Sequence, residues 1–286
     1  MRTKELFYWI EERHKIYEAR KAGKPKPWTK DPILQQYRFC NVYRELDTVT
    51  QWIAKHWRTP HKTDRHLWFA MVVARLLNWP PTLSLVKFPV PWSAKRFVEL
   101  TKVAQATNYR IFSGAYIVST NGKAVEKIPY LVEYVLDPLW KARENIAAVI
   151  HNETLGTVPP PTLGLVHKVL MNYDGLGSFM AAQVIADLKY VKPLVNAVDW
   201  HTWAASGPGS RRGLNRVFGS APNTPWNEAR WWAHLNMLHK EIRLLIVKKG
   251  MPDLHAQDLQ NCLCEFDKYE RTRLGEGRPR STYPGI

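Results

Sequence analysis

Residues 163–190 read LGLVHKVLMNYDGLGSFMAAQVIADLKY. The segment divides into two apolar helical periods on either side of the turn Tyr173-Asp-Gly-Leu-Gly177. Leu163–Met171 predicts a short helix and Ser178–Leu188 a second one. Gly175 and Gly177 allow the positive φ angles and close backbone approach that a tight interhelical turn needs. Leu176, between them, is placed to plug the helix pair. Ala181, Ala182 and Ile185 let the second helix sit close to its neighbour. The amides that open this helix, from Ser178 onward, have no acceptor within it and form a ready anion site. The segment therefore predicts a helical hairpin that grips a phosphate.

The rest of the chain suits such a ligand. Its 286 residues carry 41 Lys and Arg against 25 Asp and Glu, a formal charge of +16. A surplus of that size points to a polyanionic partner, nucleic acid being the commonest. Apolar residues make up 45% of the chain, which predicts a packed fold rather than disorder. Thirteen Trp and twelve Tyr supply rings that fill a core or stack on bases. Cys40, Cys262 and Cys264 are too few for a four-cysteine cluster, and their spacing fits no zinc ligand set. The odd cysteine count, with no apolar signal segment after Met1, predicts a reducing, cytoplasmic setting. No run approaches about 18 apolar residues, so no membrane span is expected. A monomer is expected.

The periodicity predicts a mainly α, two-lobed fold with one small β-hairpin. Residues 1–22 read as a basic helix. Asp31-Pro32 opens a long helix over 31–57, with Ile33, Tyr37, Val42, Leu46, Val49 and Ile53 as its apolar stripe. Asp64–Leu77 reads as a buried helix, and further helices are expected at 93–106, 132–150, 226–248 and 255–270. Between them, 109–132 alternate apolar and polar positions around Asn121-Gly122, which predicts strands at Ile111–Ser119 and from Val125. The proline-rich stretch 157–162 reads as a stiff linker and 271–286 as a basic, extended tail. One lobe is expected to span 61–195 and end in the 163–190 hairpin; the other joins residues 1–60 to 196–270.

The helix, Gly-Leu-Gly turn and small-residue helix resemble the helix-hairpin-helix motif of DNA glycosylases. The string Val198-Asp199-Trp-His201-Thr-Trp203 follows, with Asp199 lying 22 residues after Gly177. It is similar to the essential-aspartate segment of the 8-oxoguanine glycosylase branch. By that resemblance Asp199 is the catalytic carboxylate and His201 contacts a phosphate. A carboxylate suits N-glycosidic cleavage because positive charge builds on the sugar as the bond breaks. A structural reading stays open beside it, in which Asp199 caps a helix beginning near Trp200. Phe179 occupies the position where strand-cleaving members carry a lysine, so no Schiff-base step is expected there.

A second glycine-rich stretch, Ser206-Gly-Pro-Gly-Ser-Arg-Arg-Gly-Leu-Asn-Arg216, reads as an anion-binding loop. Gly207, Gly209 and Ser210 would fold around a phosphate, and Arg211, Arg212 and Arg216 would supply bidentate donors. It is not a P-loop, for the Lys-Ser/Thr pair is missing. Together with 38–47 and 260–271, this stretch resembles the alpha-glutamyl/putrescinyl thymine pyrophosphorylase family. The helical domain of that family also accompanies 5-hydroxymethyluracil DNA kinases, and the resemblance covers nearly the whole chain. It implies double-stranded DNA with modified bases as partner. It also implies a base pocket using Arg38, Asn41, Arg44 and Asp47 on one helix face, with Phe179. An internal salt-bridge cluster is the alternative for the first four.

The expected activity is a monofunctional glycosylase that flips a 5-substituted pyrimidine out of the duplex and leaves an abasic site. The alternatives are a transferase displacing pyrophosphate from the 5-methylene with an amine, and a module that only binds DNA. No metal or redox cofactor is implied; a monovalent cation at the hairpin is the one exception left open.

Overall fold

The computed structural model describes residues 1–107, 110–114, 116, 119–153 and 161–283. Along the chain run α1 (Thr3–Lys21), α2 (Pro32–Gln36), a 3-10 turn at Arg44–Leu46, and α3 (Thr48–Ile53), which widens into a π-type turn at Ala54–Arg58. Then come α4 (Leu67–Leu77), α5 (Pro80–Val86), α6 (Ala94–Ala106) and α7 (Lys127–Tyr130), which widens at Leu131–Leu136. They are followed by α8 (Asp137–Lys141), α9 (Arg143–Ile150), α10 (Leu163–Leu170) and α11 (Ser178–Leu188). The last helices are α12 (Pro208–Phe218), α13 (Glu228–Lys248) and α14 (Ala256–Arg273). No described helix is long and apolar enough to cross a membrane. The chain forms two compact units, residues 1–47 with 201–286, and residues 48–200.

The 48–200 unit is built around α4. Every residue from Leu67 to Leu77 is buried, as expected for a helix that is apolar on all sides. Its one charged residue, Arg75, faces α11. There Arg75 Nε donates to Asp187 Oδ2 at 2.6 Å and Nη2 donates to the other carboxylate oxygen. Thr50 Oγ1 and Asn78 Oδ1 accept further guanidinium hydrogens at 3.1 and 3.3 Å. Both charges are shut away from water, at 1% and 0% exposure, so each depends on the other. Asn78 ends α4 in the left-handed region, φ 46°, and lets Pro80 start α5 at once.

The other unit closes around α1, α13 and α14. Leu6, Trp9, Ile10 and Ile16 recur at helical spacing on α1 and pack with Trp231, Leu235, Leu238, Ile242 and Ile246 of α13. Leu259, Leu263 and Phe266 of α14 complete the core. Arg13 is buried on α1 and donates to the Phe39 carbonyl at 2.9 and 3.2 Å and to Asn41 Oδ1 at 2.6 Å. The closest packing is α12 on α14. Gly213 lies against the backbone of Leu263, and a Cβ there would land on that residue's carbonyl; Gly209 lies against the Cys264 sulfur.

Three expectations of local structure are corrected. The 31–57 helix stops at Gln36. Asp31 caps it, accepting from the amides of Ile33 and Leu34 at 2.9 and 3.0 Å. Residues 37–40 then alternate buried and exposed, and the backbone pairs with the tail instead: Arg38 N donates to Ser281 O and Tyr283 N to Gln36 O. The tail is thus pinned rather than loose. The strand pair around Asn121-Gly122 is absent from the described residues. The turn itself forms, with φ 52° and 79°, but helix α7 begins at Lys127 and leaves no length for a second strand. Parts of the first strand and most of the 157–162 linker lie outside the described residues. Finally, the glycine-rich 206–216 stretch is helix α12 rather than a loop.

Two outcomes follow for stability. Asp187→Asn should cost about 3 kcal/mol or more because it strands the Arg75 charge, while Arg75→Met with Asp187→Leu should restore most of the loss. Denaturant titration of both variants checks this. Gly213→Ala should lower the melting temperature by roughly 5–10 °C, since backbone rather than a flexible side chain blocks the added methyl.

Candidate nucleic-acid interface

The α10–α11 hairpin forms as the sequence spacing implies, with a division of labour between its glycines. Gly175 has φ +75° and lies against Val135, where a Cβ would approach a Val135 methyl to 2.8 Å. Leu176 is fully buried as the plug. Gly177 has φ −58° and an added Cβ there would meet no protein atom within 4 Å. It is a glycine that leaves space rather than one that relieves strain. No side chain caps α11 at Gly177, and its first intrahelical bond comes from Ala181 N to Gly177 O at 3.0 Å. Among the described residues, the amides of Ser178, Phe179 and Met180 therefore carry the positive end of the helix without an acceptor. His167 of α10 secures the turn: its Nε2 lies 2.9 Å from the Ser178 carbonyl, so that nitrogen bears the proton and donates.

Beside this helix start lies a cleft of about 390 Å³ lined by Leu76, Ser119, Asn121, Gly175, Gly177, Ser178, Phe179 and Met180. Phe179 stands 57% exposed at its rim, with Tyr116 edge-on at 5.2 Å. Tyr116 is fixed in turn by its hydroxyl donating to Gln183 Oε1 at 2.8 Å. Asn121 donates from Nδ2 to the Tyr130 hydroxyl at 2.9 Å, which leaves its carbonyl oxygen available. Ser119 and Asn121 were not legible as site residues. Their one sequence signal was the Asn-Gly turn, which reads as a strand connector.

Asp199 does not line that cleft. Its Oδ1 accepts from Leu163 N at 2.8 Å and its Oδ2 from Gly164 N at 3.0 Å. Thr162 Oγ1 takes the third amide, Leu165 N, at 3.0 Å. The start of α10 is thus fully satisfied from within the protein, whereas the start of α11 is not. Asp199 is a capping residue, as the structural reading allowed, but for α10 rather than for a helix beginning near Trp200.

The remaining expected residues are used elsewhere. Ser210 is buried, and its hydroxyl donates to Gly207 O and accepts from Gly207 N, both at 3.0 Å. Gly209 supports the α12–α14 contact. Arg211 pairs with Glu228; Arg212 and Arg216 each meet Asp267 at 2.8 Å, and Arg216 also pairs with Glu276. These arginines brace α12 and do not form a phosphate cradle. The carbonyl of His201 accepts from Ala256 N at 2.9 Å, and its ring faces Asp253 at 3.5 Å. Arg38, Asn41, Arg44 and Asp47 share no helix face. Asn41 binds Arg13, the Leu46 carbonyl and, through its amide, Asp47, while Arg44 N donates to Asp258. Arg38 turns to the Tyr283 ring at 5.9 Å.

Asp199→Asn keeps only one acceptor oxygen and should destabilise the 48–200 unit by about 1–2 kcal/mol, with Asp199→Ala at least as costly. Hydrogen exchange at the Leu163 and Gly164 amides should speed up in both variants.

No solved structure matches the chain. In sequence it is 25% identical to a 5-hmdU DNA kinase of Bacillus phage SP10, over 92% of this chain and 44% of that protein. The chain therefore spans less than half the length of that relative. A kinase transfers a group and does not hydrolyse a glycosidic bond, so the expectation of a DNA glycosylase is overturned. The model of the family described as the helical domain of 5-hmdU DNA kinase matches residues 2–278, and the chain belongs to that family.

Proposed function

We propose that this chain is the DNA-recognition module for group transfer at the 5-substituent of a thymine-type base. The observation that carries the reading is the uncapped start of α11 opening beside a cleft rimmed by an exposed aromatic ring. The amides of Ser178, Phe179 and Met180 hold a backbone phosphate next to the target. The cleft volume falls within the range for small-molecule sites and takes a base drawn out of the stack. Phe179 stacks on that base, and the Asn121 carbonyl oxygen accepts its N3–H. The 5-hydroxymethyl oxygen is then the nucleophile toward a phosphoryl donor, a reaction that depends on positioning and charge neutralisation.

The donor nucleotide is handled outside this chain's glycine-rich stretch. Every arginine of α12 already has a carboxylate partner, which also removes the support that stretch gave to pyrophosphate displacement by an amine.

Duplexes carrying a single 5-hydroxymethyluracil or thymine test the reading by fluorescence anisotropy. Binding should favour the hydroxymethylated duplex. Phe179→Ala should weaken it by about 1–3 kcal/mol, roughly 5- to 150-fold. Gly177→Ala, whose added Cβ meets no described protein atom within 4 Å, should fold normally yet bind DNA poorly. Equal affinity for both duplexes in wild type and in both variants would remove the hairpin and cleft from consideration.

A further inference from the structure

The unit formed by residues 1–47 and 201–286 carries a second concentration of positive charge. Trp28 and Tyr283 pack edge to face with centroids 5.3 Å apart. Three cations surround this pair. Arg20 lies 5.4 Å from both rings, Lys26 lies 5.5 Å from Trp28 and 5.8 Å from Tyr283, and Arg38 lies 5.9 Å from Tyr283. Two backbone devices hold the arrangement. The Trp28 indole donates to the Lys24 carbonyl at 2.7 Å, and residues 36–38 pair antiparallel with 281–283. That pairing sets Arg38 opposite Ser281, and Arg280 is the next residue along the tail.

Arg20, Arg38 and Arg280 are all exposed, and among the described residues none of them forms an ion pair with a carboxylate. Five other arginines of the unit, Arg2, Arg212, Arg216, Arg243 and Arg273, each have an acidic partner. Nearby acids are turned to other tasks. Asp31 caps α2 and accepts from the Tyr8 and Tyr269 hydroxyls, and Glu12 serves Lys15 and Thr29. Like charges gathered on two rings repel one another, and an extended polyanion relieves that repulsion by replacing its own counterions. Guanidinium groups laid against aromatic faces keep their edge N–H donors free for phosphate oxygens.

We propose that the Arg20–Arg38–Arg280 edge is a second, sequence-independent contact for the DNA backbone, built on one unit and separate from the hairpin on the other. It shares with the hairpin reading only the assumption that the ligand is DNA. The test uses the full chain carrying R20Q, R38Q and R280Q together, with R243Q, which removes an acid-paired arginine, as the control. Affinity for a thymine duplex and for a 5-hydroxymethyluracil duplex is measured across KCl concentrations. The triple variant should weaken both equally and make the slope of log K against log salt shallower by about 3 units. R243Q should leave the slope unchanged, and circular dichroism should show all proteins folded. A salt slope equal to wild type in a folded triple variant would overturn the proposal, as would an equal change in R243Q. A triple variant that loses the preference for the modified base but keeps the wild-type slope would also count against it. Absence of any modified-base preference in wild type would sink the hairpin reading and leave this one standing.

Discussion

A charge pair without water fixes α11. Arg75 and Asp187 sit at the far end of that helix, sealed among α4 and its neighbours. Their strength depends on mutual completion, for either ion alone in that interior would be strongly unfavourable. With its C-terminal end held so firmly, α11 leaves its first turn exposed and unsatisfied without fraying. The open end of a helix is an unstable feature in isolation, and here the buried Leu176 and His167 on the Ser178 carbonyl hold it at the turn while the ion pair holds the opposite end.

The two helices of the hairpin treat their starts in opposite ways. Three acceptors from Asp199 and Thr162 close α10. None closes α11. An anion approaching the hairpin meets a carboxylate at one helix and bare amides at the other, so the polarity of the motif is decided by one acidic side chain. The same residue type at the same distance along the chain can serve chemistry or architecture. Which it serves depends on what its oxygens face.

Much of this architecture could be read from local pattern. The hairpin, the all-apolar α4 and the amphipathic α13 and α14 follow from helical spacing, capping residues and turn glycines. What escaped required knowledge of partners distant in sequence. Asp199 was given a catalytic task because its destination, the amides of Leu163 and Gly164, is set only by the fold. The 206–216 stretch reads as a loop when its glycines are counted as flexibility. Pro208 at the first helical position and Gly219 at the end, φ +75°, mark a helix, and Gly209 and Gly213 one turn apart mark a close packing face. Likewise the buried–exposed alternation at Tyr37–Cys40 was hidden inside a longer apolar stripe.

The order of the two units along the chain has a consequence for how the protein is made. Residues 48–200 form one uninterrupted stretch, whereas the other unit is assembled from both ends of the sequence. During synthesis the inner stretch is complete once Asp199 has emerged and locked α10. Helix α1 meets residues 31–47 early, with Trp9 edge-on to Phe39 and Arg13 bonded to Asn41, but its apolar stripe is completed only when α13 and α14 arrive. Until then the nascent chain leaves that apolar stripe incompletely covered, making the ribosome-bound intermediate rather than the finished protein the form most exposed to aggregation and chaperone capture.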